Sequence, residues 1–253
     1  MGWSGGWPPE FWPTTRPDGW WAEVLQLDVA DLTLDVPGRR LLTEVALTVQ
    51  VGECVAILGA SGAGKTSLLN CVAGISTPVQ GSVRIDGTML SVLSPAKRAE
   101  FRLKHIGIVF QFGELLPELS LVENVAIPLR LLGVPRREAE KRAQEKLERL
   151  GLGGQAAAHP NSLSGGEVQR AGIARSLVHR PSLVLADEPT GMLDEVNTRL
   201  VADLLGELAR ESRVAVLLAT HDPIVSSSAA RVLRIRDGRL VGDGLHESSG
   251  LDT

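Results

Sequence analysis

Short apolar runs separated by polar breaks fill the first part of the chain. Those at 24–27, 31–36 and 44–49 predict strands. Cys54-Val55-Ala56-Ile57-Leu58 is uninterrupted and ends at Gly59, the pattern of a strand buried on both faces. A helical stretch over 65–73 follows, with Gly74 suited to its C′ position. Residues 82–85 predict a strand closed by the turn pair Asp86-Gly87, and 106–110 predict another. Residues 120–150 have helical character, with Ala139, Ala143, Leu147 and Leu150 on one face and Gly151 at the end. Further helices are predicted over 165–179 and 195–211, and strands over 183–186 and 214–219. Val232–Arg236 and Arg239–Gly242 flank Asp237-Gly238, a hairpin signal. Strands alternating with helices predict an α/β fold with a mostly parallel sheet. Early antiparallel strands precede it, and a helical segment, about 95–160, is inserted.

Composition narrows the classes. Hydrophobic residues make up 43% and charged residues 22%, an ordinary globular balance. A net charge of −4 disfavours duplex nucleic acid as a main partner. No apolar run approaches the roughly 18 residues of a membrane span. The first charged residue is Glu10 and no apolar core follows the start, so no secretory signal is expected. Gly6 breaks the myristoylation pattern. The two cysteines, Cys54 and Cys71, sit in apolar surroundings and are expected in the core. All five Trp and four Pro fall within residues 1–21, which have no period. That stretch is expected to be an extension, free, strapped to the surface or in contact with a partner or lipid. It is followed by one domain over 22–244 and a tail over 245–253.

Three short segments carry chemistry. Gly59-Ala60-Ser61-Gly62-Ala63-Gly64-Lys65-Thr66 fits G-x-x-x-x-G-K-[ST] between a buried strand and a helix. Such a loop turns its backbone N–H groups inward around a phosphate, and the helix N-terminus adds partial positive charge. Lys65 is placed for the β- and γ-phosphates and the Thr66 hydroxyl for Mg²⁺. Leu183-Val184-Leu185-Ala186 ends in Asp187 and Glu188. Asp187 stands where such a loop needs a Mg²⁺ partner through water, and Glu188 is placed to polarise an attacking water. Ser164 and Glu167 form S-x-x-E, a capping box. Gly165 and Gly166 leave that first turn bare, so an anion can approach it. Two anion-binding helix starts in one chain suggest a nucleotide held between two copies of the protein.

The order of GASGAGKT, Gln111, LSGGE, LVLADE, Gly191-Met192-Leu193-Asp194 and Ala219-Thr220-His221-Asp222 resembles the ATP-binding subunit of ABC transporters, over about residues 24–244. Phe110-Gln111-Phe112, Leu115-Leu116-Pro117 and Glu123-Asn124-Val125-Ala126-Ile127-Pro128 are similar to the branch of lipoprotein-releasing and macrolide-export ATPases. The resemblance implies a P-loop NTPase core with an N-terminal antiparallel β subdomain and an inserted α-helical subdomain. It adds Ser67 to the nucleotide loop. It implies that Gln111 touches the metal and the lytic water, and that His221 contacts the γ-phosphate. It also implies that Asp194 lies at a dimer seam and that Ser164, Gly165 and Gly166 close on the nucleotide of the opposite protomer. Val36 stands where the family usually carries an aromatic ring against adenine, and Gly191-Met192 replaces the branch's common Gly-Asn.

The implied activity is ATP hydrolysis with Mg²⁺ by a homodimer. The dimer would be peripheral on the cytoplasmic side of the cell membrane and would power a separate permease, contacting the membrane through it. The segment between Gln111 and Ser164 is the expected docking face. A hydrophobic or lipid-linked substrate, exported or extracted, is the expectation. A regulator of cell-wall enzymes across the membrane is the alternative, and a soluble superfamily member a further one. Against the latter, the chain carries a single loop motif and only 53 residues separate Gln111 from Ser164.

Overall fold

The computed structural model describes residues 25–111, 113–191 and 193–244. The Trp-rich stretch and the tail predicted at the two ends lie outside them. β1 (Leu25–Val36) and β2 (Arg39–Gln50) form a hairpin across Pro37-Gly38. The runs read separately at 24–27 and 31–36 are one strand. The polar break between them is a bulge, where the register shifts between Val29 and Leu32 and Asp31 takes a φ of 50°. β4 (Gln80–Ile85) pairs antiparallel with the other edge of β1, and β5 (Thr88–Met89) completes the order β2-β1-β4-β5.

The second sheet contains β3 (Cys54–Leu58), β6 (Ile106–Val109), β7 (Leu183–Asp187), β8 (Ala215–Thr220), β9 (Arg231–Arg236) and β10 (Arg239–Gly244). Its order is β10-β9-β3-β8-β7-β6, parallel throughout except for β10. The predicted mostly parallel sheet and terminal hairpin are therefore present. Every residue of β8 is buried, as a strand covered on both faces requires. One core lies between the antiparallel sheet and this one, joining Leu27, Leu32 and Leu42 to Ile57 and Leu68. The other lies beneath the helices of the opposite face and includes Leu121, Leu147, Ile173 and Val216. Cys54 and Cys71 are both free and buried, and burial pushes their thiols up to about 12 and about 11.

The helices are α1 (Lys65–Val72), α2 (Pro95–His105), α3 (Leu121–Leu131), α4 (Arg136–Arg149), α5 (Gly165–Leu177), α6 (Glu195–Ser212) and α7 (Pro223–Ser227). The helical stretch read over 120–150 is two helices. Gly133, at a φ of 83°, closes the first, and Pro135, as N-cap, drives its predecessor out of helical geometry before the second. Within the span 95–160, β6 joins the parallel sheet as its edge strand, while α3 and α4 pack on α5. Among the described residues no helix is long and apolar enough to cross a membrane.

Candidate nucleotide site

The parallel order of β3, β8, β7 and β6 puts the loops after their carboxyl ends side by side, where open α/β sheets gather ligands. The loop after β3 enters α1 at Gly64, whose φ of 103° suits glycine. A Cβ there would stand 2.8 Å from Leu42 Cδ2 and force that buried side chain aside. No side chain caps α1 and its first turn has no acid, so its N–H groups remain for an anion. Lys65 is buried, and its Nζ donates to the carbonyls of Gly59 at 2.8 Å and Ala60 at 3.3 Å.

Asp187 and Glu188 meet this loop from β7. The Thr66 hydroxyl faces the Asp187 carboxyl. Burial pushes the Asp187 carboxyl up; Thr66 opposes the shift and the neighbouring charge of Glu188 adds to it. Its Oδ1 is buried with no hydrogen-bond partner among the described residues. An unpartnered carboxylate oxygen beside a hydroxyl is the hard-oxygen donor set that suits Mg²⁺ directly or through water.

Glu188 turns back at a φ of 43°, and its N–H donates to Ala219 O at 2.8 Å. Its Oε1 lies 3.3 Å from Lys65 Nζ. Its Oε2 accepts from the His221 N–H at 3.3 Å and stands 3.0 Å from His221 Nδ1. Burial works to raise this carboxyl, but hydrogen bonds from His221 and Lys65 prevail and hold it below the usual carboxylate range. It is a charged acceptor at neutral pH. The His221 ring, 68% exposed, is open to anything seated above the loop.

One cleft of about 480 Å³ joins these groups except Asp187, which is not among its lining residues. Ser61, Gly62, Gly64, Lys65, Thr66 and Ser67 form its floor, and Gln111, Glu188 and His221 one side. Val36 lines it too, with Arg39 and Leu41, which sequence reasoning missed. The available signal was their even spacing from a hairpin turn, legible only once the hairpin register is known. Gly59 and Ala63 lie beside an adjoining cavity of about 750 Å³. Gln111 reaches the cleft across Gly191, where a Cβ would come within 2.7 Å of its Nε2.

Ser164, Gly165, Gly166 and Asp194 are not among the residues lining this cleft. The predicted capping box is formed: Glu167 Oε2 accepts from the Ser164 N–H at 2.9 Å and its hydroxyl at 2.7 Å. Asp194 caps α6, accepting from the Asn197 N–H at 2.8 Å and its amide at 2.9 Å. A Cβ on Gly166 would stand 2.5 Å from Asn197 Oδ1, so both helix starts form one group apart from the loop. Sequence reasoning also missed Gln169. It is buried on α5 and donates through Nε2 to Phe110 O at 3.0 Å. Arg175 adds bonds to Gly113 O at 2.7 Å and Glu114 O at 2.8 Å. The segment carrying Gln111 is thus tied to the helix that starts at Ser164.

A phosphate loop, a strand-end acidic pair and a second, glycine-started helix on this two-sheet fold define a P-loop nucleotide-hydrolase cassette. The chain belongs to the ABC transporter family, whose profile matches residues 42–191, and is an ATP-binding, ATP-hydrolysing subunit. The lipoprotein-releasing system ATP-binding protein LolD of Chromohalobacter salexigens is 46% identical over 203 residues, 80% of this chain and 86% of the relative. An uncharacterized ABC transporter ATP-binding protein of Mycobacterium tuberculosis is 42% identical, covering 80% of this chain and 82% of its own length. An ATP-binding cassette solved as a dimer in a post-hydrolysis state bound to ADP and Pi is 33% identical, with a TM-score of 0.78 over 86% of this chain and 97% of that one.

Proposed function

We propose that the chain is one half of a head-to-tail dimer that hydrolyses ATP to drive a separate membrane permease. The separation of the two groups within one chain carries this reading: the cleft around Lys65 is open on one side, and the glycine-started, Ser164-capped turn of α5 stands outside it. Facing copies complete both sites, in keeping with the dimeric cassette structure. In each site Lys65 exchanges its contacts with Gly59 O and Glu188 for phosphate oxygens. Glu188, freed on that side, accepts a proton from water attacking the γ-phosphorus, and His221 holds its other oxygen. Thr66, Asp187 and Gln111 are the groups that would hold Mg²⁺, which neutralises phosphate charge when bound.

The relatives named for lipoprotein release support a hydrophobic or lipid-linked cargo and a peripheral place at the cytoplasmic face of the membrane. The face of α2, α3 and α5 supports the docking of the permease, through a groove lined by Leu103, Ile127 and Leu131. Co-purification of the full chain with candidate permeases from the same genome tests this. Expected are a stable complex, faster ATP turnover in it, and loss of the complex in Leu131→Glu with basal turnover kept. A cassette that ignores every candidate permease in both binding and turnover would refute the coupling.

A further inference from the structure

We propose that Arg39 holds the nucleotide base, its guanidinium plane stacking on the purine in place of an aromatic side chain. This rests on the reading of the cleft as the ATP site. Val36 and Arg39 are direct cross-strand partners on either side of the Pro37-Gly38 turn. Partners in such a pair project to the same face of the ribbon, and Leu41, at the register shift that follows on β2, joins them in the cleft. All three line the cleft that contains Lys65 and Thr66. The next pair, Asp35 and Arg40, is absent from that lining and is closed on itself by an ion pair of 2.9 Å. Arg39 has no such tether: its side chain makes no hydrogen bond or ion pair with another described residue.

The hairpin end therefore presents two aliphatic side chains and one planar cation to the cleft. Val36 and Leu41 offer a dry surface to a ring but no π-face. A guanidinium stacks on aromatic rings and is only weakly hydrated, so covering it with a base costs less than covering an ammonium. Stacking reads the ring face and not its edge, so the slot accepts adenine and guanine alike.

The test is equilibrium binding of ATP, GTP and inorganic tripolyphosphate to the full chain and its Arg39→Ala, Arg39→Trp and Lys65→Ala variants, with melting temperatures as a check on folding. Arg39→Ala is expected to weaken both nucleotides by roughly three- to thirtyfold and to leave tripolyphosphate unchanged. Arg39→Trp, which restores a flat ring without the charge, is expected to recover ATP binding. Equal losses for ATP and tripolyphosphate would make Arg39 a phosphate contact and overturn the proposal, as would an Arg39→Ala variant that binds ATP normally. Failure of the underlying reading has a different signature: Lys65→Ala would then bind ATP as the unaltered chain does.

Discussion

Lys65 Nζ and Glu188 Oε1 stand 3.3 Å apart, both largely shielded from solvent, so the loop lysine and the strand-end carboxylate neutralise one another across the cleft. A triphosphate that takes Lys65 leaves Glu188 with His221 alone. On the proposed roles, the charge that would anchor the phosphates is thereby linked to the group that would activate water.

Glu188→Gln keeps the size and the hydrogen-bonding reach of the side chain but cannot accept a proton. ATP turnover should fall by about 10²–10⁴-fold. ATP binding should persist, and the protein should accumulate as an ATP-bound dimer on size exclusion. Near-normal turnover in the purified variant would remove Glu188 from the role of base.

On the proposed dimer, Lys65→Ala would spoil a protomer's own loop, and Ser164→Arg the turn it would lend to its neighbour. A mixed dimer of the two contains one site intact on both sides and one spoiled on both. Mixing the inactive singles should restore part of the activity. Heterodimers that form, shown by differential tagging, yet never exceed either parent would contradict shared sites.

Val36 offers no ring to a base seated in the cleft it lines, and a stacked aromatic is worth ~1–3 kcal/mol. GTP should bind within about tenfold of ATP, and Val36→Tyr should tighten ATP. Titration calorimetry showing a much stronger preference for ATP would point to an edge contact that reads the adenine.

Gln169→Leu removes the bond to Phe110 O and leaves that carbonyl with the Gly113 N–H alone, at 3.2 Å. Stability should drop by about 0.5–1.5 kcal/mol. Because this bond ties the strand end next to Gln111, kcat for ATP should also fall while ATP affinity holds. A variant with a lowered melting temperature but normal kcat would reduce Gln169 to a packing role.

Burial brings His179 down to about 4; its bond to Ile106 O opposes the shift, and His105 and Lys146 add to it. The ring stands 3.2 Å from Ile106 O through Nε2, and its buried Nδ1 has no hydrogen-bond partner among the described residues. Below its ordinary value near 6.5 the unfolded chain binds a proton that the folded chain refuses until about pH 4. Stability is therefore complete above that window and declines as pH falls through it, by up to about 3 kcal/mol. His179→Gln should flatten that slope in urea titrations between pH 7 and 4. An unchanged slope would assign the acid sensitivity to other groups.

The phosphate loop, the pair Asp187-Glu188 and the capping box at Ser164 are legible in the chain because each is built from neighbouring residues. Glycines, a strand end and a helix start fix their geometry within about one turn of backbone. The breaks at Gly133 and Pro135 were equally local and overrode a helical periodicity that otherwise continues through them. What brings Lys65 to Glu188, Gln111 to Gly191 and Gln169 to Phe110 is the strand order β3-β8-β7-β6, which joins segments tens of residues apart. Arg39 enters the cleft only because the bulged β1 pairs with β2 in one register; a slip of one residue would turn Val36, Arg39 and Leu41 to the opposite face. Periodicity and motif describe which groups the chain owns. Long-range pairing, whose energy comes from burying faces that do not adjoin in sequence, decides which of them meet.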